Sequence, residues 1–458
     1  MIWRRISWPD WAFIRLPIKS AMILVYCDHI TPRHAYIFRF ILGDLLGMEY
    51  RLTHDRAEFV AFSGPKFSYG ADNPGSRLHF LSHTLLKENG VREQNISITR
   101  WQGLPVFFQA DGLSAWPFDP FALIFFLVSR YEEYLPFQPD AHGRFPALAS
   151  LAYREGFLDI PLADILADRL KALLVENFPH LNFPSGTFRF TPSFDIDIAF
   201  AHLGKGWMRA TAAWLKLLLK ADIGQIQERL LTIRGKMDDP FDNFGYQLEL
   251  AGNYGYHPLY FVLMGDFGKH DRNTDYRGLK FRELIRMLSM NADVGIHPSY
   301  RSHLRPAQIR VEKSRLENIT GKPVRMNRFH YLRLGFPHSY RNLSELGFTD
   351  DYSLGYSTVN GFRAGTATPF LFYDLLKEEV TGLTLHPFIF MDSAMADHLK
   401  YSPEQALEEA VKLTGLVSQY GGEAIGIWHN YALSDRGPYR GWRGLLEGIL
   451  SKFANTMA

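Results

Sequence analysis

The stretch Thr187-Phe188-Arg189-Phe190-Thr191-Pro192-Ser193-Phe194-Asp195-Ile196-Asp197 decides the fold. Its first residues alternate aromatic and polar side chains, which is the period of a strand with one face buried. It ends in two carboxylates two residues apart, and a strand that continues puts both on one side. Two acids at the C-terminal end of a strand can hold a cation and leave one carboxylate over as a base. The plain alternative is a strand-end turn with solvated acids, and the rest of the chain decides between the two.

Downstream of the turn cluster Phe183-Pro184-Ser185-Gly186, strand and helix patterns alternate. Strands are predicted at 187–194, 259–264, 292–296, 324–329, 348–353, 383–387 and 423–428. Helices are predicted at 208–233, 241–252, 280–290, 306–318, 339–346, 403–419 and 442–453. Such alternation argues for a parallel sheet covered by helices. Seven units without a dinucleotide glycine fingerprint predict a (β/α) barrel rather than an open sheet.

Upstream, residues 1–150 read as an additional N-terminal α/β domain. It has candidate strands at 22–26 and 58–62 and a helix at 34–46. A helix at 118–135 opens on Asp119-Pro120, a good N-terminal signal. Its end, Ser129 to Leu135, carries an arginine and two acids, which read as a paired or solvated helix end. Residues 151–186 form a bridge around an amphipathic helix at 161–177, and residues 187–458 form the barrel.

Composition narrows the function. The chain has 458 residues, 47% hydrophobic and 21% charged, enough for a large globular core. A formal net charge of +2 gives no field for a nucleic-acid partner. Cys27 is the only cysteine, so an internal disulfide is excluded and nothing points to an oxidising compartment. The apolar runs at 21–27 and 121–128 are shorter than the roughly 20 residues a membrane helix needs. No integral membrane segment and a cytoplasmic location are therefore expected. Aromatic residues make up 15%, and those not spent in the core suit stacking on sugar rings.

In a parallel barrel the reactive residues sit where strands end and loops begin. The predicted strand ends carry Asp195 and Asp197, then His297 with His303 close behind, then Arg328 and His330. Further round they carry Asp350 and Asp351, His386 and finally His429. One strand-end histidine is usually structural, but recurrence at one edge reverses that reading. Carboxylate and imidazole together suit zinc or a similar divalent ion.

Several ordered strings resemble the polysaccharide deacetylases of carbohydrate esterase family four. In the second half they are Phe194-Asp195-Ile196-Asp197, Gly295-Ile296-His297-Pro298-Ser299-Tyr300, Arg328-Phe329-His330-Tyr331-Leu332-Arg333, Asp351-Tyr352-Ser353-Leu354-Gly355-Tyr356, Gly361-Phe362-Arg363-Ala364-Gly365-Thr366 and Trp428-His429-Asn430. In the first half, Phe118-Asp119-Pro120-Phe121-Ala122, Ser129 to Phe137 and His142-Gly143-Arg144-Phe145 make the whole chain similar to a bacterial branch with an extra N-terminal domain.

The resemblance implies a distorted (β/α)7 barrel. It also implies a metal-dependent hydrolase that removes N-acetyl groups from a bacterial cell-wall or surface glycan, or its precursor. By position, Asp195 is the base, Arg328 orients it, Asp197 and His297 bind the metal, and His429 is the general acid. His386, in Leu385-His386, is an alternative acid. Arg301 stands four residues after His297, where the family has its second histidine ligand, so His303, His330 or water fills that place. The Gly361 to Thr366 turn either cradles an anion or pairs Arg363 with a nearby acid. Two other functions compete. One is a barrel that has lost catalysis and binds glycan or a partner, and the other is a hydrolase of a different carbon–nitrogen amide.

Overall fold

A computed structural model of the chain describes residues 22–204 and 223–453. The helix expected at 208–233 lies partly outside them, and Ile223–Ile233 is helical.

The first part holds a four-stranded parallel sheet, β1 (Ile23–Cys27), β2 (Tyr50–Thr53), β3 (Lys66–Gly70) and β4 (His79–Leu81), in the order β2-β1-β3-β4. The strand expected at 58–62 is instead the helix Arg56–Ala61. Asp55 accounts for the change: its carboxylate accepts hydrogen bonds from the backbone N–H groups of Ala57 and Glu58, which caps the helix. A short antiparallel pair follows, β5 (Thr99–Trp101) with β6 (Leu104–Val106).

The apolar run at 121–128 forms the helix Pro120–Val128, buried at every position. Asp119 caps it, accepting from the N–H groups of Phe121 and Ala122. Arg130 then takes a left-handed backbone conformation (φ 53°) and ends the helix before Tyr131. The bridge helix is Leu162–Asn177. Among the described residues, no helix is long and apolar enough to cross a membrane.

The second part is organised on a nine-stranded sheet. Its strands are β7 (Phe188–Ile196), β8 (Leu259–Leu263), β9 (Asp293–His297), β10 (Met326–Asn327), β11 (Asp350–Asp351), β12 (Phe370–Asp374), β13 (Glu379–Leu385), β14 (Phe388–Met391) and β15 (Gly422–His429). The order is β12-β13-β11-β10-β9-β8-β7-β15-β14, parallel except for the β12–β13 pair.

This order curls the sheet. β14 is one edge and β13 lies beside the other, yet only His386 and Pro387 separate them in sequence. That linker spans at most about 10 Å, so the two ends of the sheet stand close together. Leu259 and Phe261 of β8 accordingly share one buried cluster with Phe388 and Met391 of β14 and Ile425 and Ile427 of β15. The fold is therefore mixed α/β with a curled, barrel-like parallel sheet. The larger apolar cluster runs through both parts of the chain, from Ile23, Phe38 and Phe121 to Phe190, Trp428 and Leu446.

Candidate active site

Strand register alone assembles the first contacts. Asp195 of β7 lies opposite His429 of β15. The period of two keeps Asp195 and Asp197 on the same side. Arg328 follows β10 and reaches across the inside of the curl, where its Nη1 donates to Asp195 Oδ1 at 2.8 Å and its Nε donates to the Tyr352 carbonyl at 3.0 Å. The guanidinium is fully buried and lies 4.2 Å above the centre of the Phe261 ring. Gly295 makes room for that ring, since a Cβ there would come within 2.7 Å of Phe261 and 2.8 Å of the Met326 carbonyl. Arg328 thus occupies one oxygen of Asp195, while the other, Oδ2, lies 3.9 Å from His297 Nε2.

Among the described residues, Asp197, His297 and His330 form the group that could hold a metal ion. Asp197 Oδ1 lies 3.4 Å from His297 Nε2 and 3.5 Å from His330 Nε2. The oxygen is buried and has no hydrogen-bond partner. Around a tetrahedral ion with bonds of about 2.0–2.2 Å, donor atoms stand about 3.3–3.6 Å apart, so these spacings fit one.

The far nitrogens of both rings are already in use. His297 Nδ1–H donates to the Arg328 carbonyl at 2.6 Å, and His330 Nδ1 faces Asp271 Oδ1 at 2.9 Å. Both rings are thereby oriented with Nε2 toward Asp197, the support that metal-binding histidines need. Burial alone would raise the Asp197 carboxyl. His330, His297 and His429 outweigh burial and hold it well below the usual carboxylate range. A group kept anionic in a buried site, facing two imidazole nitrogens, suits a divalent cation.

His429 closes the other side. Its Nε2 lies 3.9 Å from Asp197 Oδ2. Its Nδ1 is 2.7 Å from Asp392 Oδ1, and its backbone N–H donates to Asp392 Oδ2 at 2.6 Å. Burial works against protonation here, but Asp392, Asp197 and Asp195 overcome it and push the imidazole up to about 10. Tyr431 stacks on its face at 4.9 Å.

The structure thus brings together Asp195, Asp197, His297, Arg328, His330 and His429. His303 is outside the three-residue group, in the turn Ser302–Leu304, where burial and Arg333 hold its imidazole down to about 4. His386 has both nitrogens engaged, one 2.9 Å from Asp350 and the other 3.1 Å from Glu423. Glu423 pairs in register with Arg189, six residues before Asp195 on β7, or about 20 Å along the strand. His386 therefore belongs to the opposite end of the barrel. Arg363 donates from Nε and Nη2 to Glu133 at 2.9 and 2.6 Å, so its turn pairs with an acid.

Two acids at the site escaped sequence reading. Asp392 follows β14 directly and carries the same acid-after-strand signal as Asp195. It was hidden because the strand at 383–387 was expected to end at Pro387. Asp271 lies in a loop without period, and only the fold brings it to His330.

Residues 23–179 match the model of a family of unknown function, DUF7033. No curated protein matches the chain. Among solved structures, a protein named as a polysaccharide deacetylase from Mycobacterium smegmatis is similar at 14% identity and TM-score 0.37, over 60% of this chain and 92% of its own. An allantoinase is similar at 10% identity and TM-score 0.35, over 59% of this chain and 84% of its own. A pseudoenzyme of carbohydrate esterase family four from Bacillus anthracis is similar at 10% identity and TM-score 0.28, over 62% of this chain and 75% of its own.

Proposed function

We propose that this chain is a metal-dependent amide hydrolase that removes N-acetyl groups from a glycan. One observation carries the reading. The Asp197–His297–His330 donor set adjoins, at a single strand edge, an acid oriented by a buried arginine and a histidine held protonated by a buried aspartate. The sequence strings at these positions, which resemble the deacetylases of carbohydrate esterase family four, supply the substrate class.

Two imidazoles and one carboxylate favour zinc. Bound there, the ion would supply Lewis acidity and bring water nearer to ionisation at neutral pH. The chain's own residues carry the proton traffic. Asp195, with Oδ1 held by Arg328, takes a proton from the attacking water on Oδ2. The new carbon–oxygen bond forms as the carbonyl accepts the electron pair. His429 then gives the proton on Nε2 to the amide nitrogen, and the carbon–nitrogen bond breaks to release acetate and a free amine. Asp392 holds the His429 ring in place and stabilises its charged form.

The test measures metal content of the purified full chain together with acetate release from N-acetylglucosamine oligomers, with and without a chelator. Expected are about one divalent ion per chain and activity that the chelator abolishes. Acetate release that persists after complete metal removal, or that survives Asp197→Ala, sinks the metal-dependent reading. A chain with the ion but without acetate release is not a glycan deacetylase on this substrate.

A further inference from the structure

Four rings meet beside the candidate metal-binding edge, three half-buried (His142, His270 and Tyr300) and one exposed (Tyr331), and each comes from a different segment. Every ring touches the other three. His270 stacks on Tyr300 at 4.1 Å, and the remaining centroid distances run from 5.0 Å for His142–Tyr331 to 6.0 Å for His142–His270. The cluster adjoins the site directly. Tyr331 packs on the His330 ring at 4.7 Å, and Asp271, which orients His330, accepts the Tyr300 N–H at 2.8 Å.

His142 is the member from the first part of the chain, and its turn is built to hold it there. Asp140 Oδ1 accepts from the N–H groups of His142 and Arg144, both at 2.9 Å. Arg144 Nη1 donates to the Tyr331 carbonyl at 2.6 Å. From the other side, Arg333 Nε donates to the His142 carbonyl at 2.6 Å and Nη1 donates to the Tyr300 carbonyl at 3.0 Å. The ring itself meets the Tyr300 hydroxyl at 3.0 Å. Tyr331 is presented at positive φ (59°) and is 37% exposed. Holding a tyrosine in that backbone region costs energy that the surrounding contacts have to supply.

The chemistry of this surface is specific. It is aromatic, with hydroxyl and imidazole groups at the ring edges. Two guanidinium groups beside it are already engaged: Arg333 on two carbonyls and on the Tyr300 face, 4.3 Å from its centre, and Arg144 on Asp140 and the Tyr331 carbonyl. Burial and Arg144 disfavour the charged form of His142. A neutral ring with apolar C–H faces and hydroxyls at its rim suits such a wall better than an anion does.

Resting on the glycan reading above, we propose that His142, His270, Tyr300 and Tyr331 form a subsite for the sugar ring next to the one that carries the acyl group, and that His142 makes the first part of the chain a wall of the active site. His142 acts as a positioning and binding residue, since no reacting atom lies against it.

The test measures binding of the N-acetylglucosamine tetramer by calorimetry to the full-length, metal-loaded chain carrying Asp195→Asn, so that turnover does not intervene. Adding His142→Ala is expected to weaken Kd roughly five- to tenfold, and adding His142→Phe, which keeps the ring, to hold it within about twofold. Metal content should not change in either variant. The subsite is overturned by equal Kd in all three chains, by equal loss in the Ala and Phe variants, or by no binding of the tetramer to the chain with His142 intact. If ring-dependent binding holds while the chain with Asp195 intact releases no acetate, the subsite stands and the deacetylase reading falls.

Discussion

At the scale of single residues, the candidate site is a set of side chains each held by a second one. His297 is aimed by the Arg328 carbonyl, His330 by Asp271, His429 by Asp392 and Asp195 by Arg328. Removing a donor should therefore differ from removing its support. His330→Ala should abolish stoichiometric metal, whereas Asp271→Asn should keep the ion and weaken its affinity roughly 10- to 100-fold. His303→Ala should leave metal content unchanged, because His303 is outside the donor group. Metal analysis of the three purified variants checks all three outcomes. For the proposed proton donor, His429→Ala should lower kcat for acetate release by about 10²- to 10⁴-fold with metal retained. A kcat within threefold of the parent would remove His429 from the acid role.

At the scale of elements, the short 3₁₀ turn after the helix Pro120–Val128 is tied to the turn 361–366 by buried charges. Glu133 Oε1 accepts from Arg130 Nε at 2.8 Å, and its two oxygens accept from Arg363. Arg130 also donates to the Arg363 carbonyl, and Arg363 Nη1 donates to the Gly355 carbonyl at 2.7 Å. Both arginines are buried, so Glu133→Ala leaves two desolvated cations short of their shared partner. It should cost about 3–5 kcal/mol of stability, read as a lower denaturant midpoint. Gly361 in the same turn sits at φ 126°, and a Cβ there would come within 2.4 Å of the Leu158 carbonyl. Gly361→Ala should destabilise through that clash and the strained φ together. Unchanged denaturation midpoints would show the two turns to be loosely joined.

At the scale of the whole molecule, polar ties join the two parts across their common apolar core. The buried Arg33 donates to both oxygens of Glu378, at the β12–β13 turn, at 2.9 and 2.5 Å. Tyr36 donates its hydroxyl proton to the Leu371 carbonyl at 2.9 Å. At the end of the barrel away from the candidate metal site, His386 stands between Asp350 and Glu423 and stacks on Tyr352 at 4.2 Å. Burial opposes its charge, but the two carboxylates prevail and raise it from 6.5 to about 9. A group raised in the folded state contributes stability that is complete below its unfolded value and is lost as pH rises through the folded one. Thermal unfolding should therefore show Tm falling between pH 7 and pH 10, and His386→Gln should flatten that fall while lowering Tm at pH 7. An identical pH slope in the variant would assign the loss to other groups.

The sequence by itself determined the alternating strands and helices of the second part, because burial of one face imposes a local period on each element. It also determined the strand-end positions of Asp195, Asp197, His297, Arg328 and His429, since a strand's end is marked by its own residues. Elements set by partners were not legible. β10 and β11 lie inside the stretches expected at 324–329 and 348–353, and only their short bounds were left to their neighbours. The segment at 58–62 became a helix through a cap at Asp55. β14 emerged only because two residues, His386 and Pro387, carry the chain from one end of the curled sheet to the other. The choice between His303 and His330 as second ligand, and between His429 and His386 as acid, rested on which segment turns inward, a distance that no local pattern encodes. Tertiary packing brings His330 beside Asp197 and His297, with Asp271 behind its ring. It also brought His142 against His270, Tyr300 and Tyr331, more than a hundred residues before the next ring of its cluster.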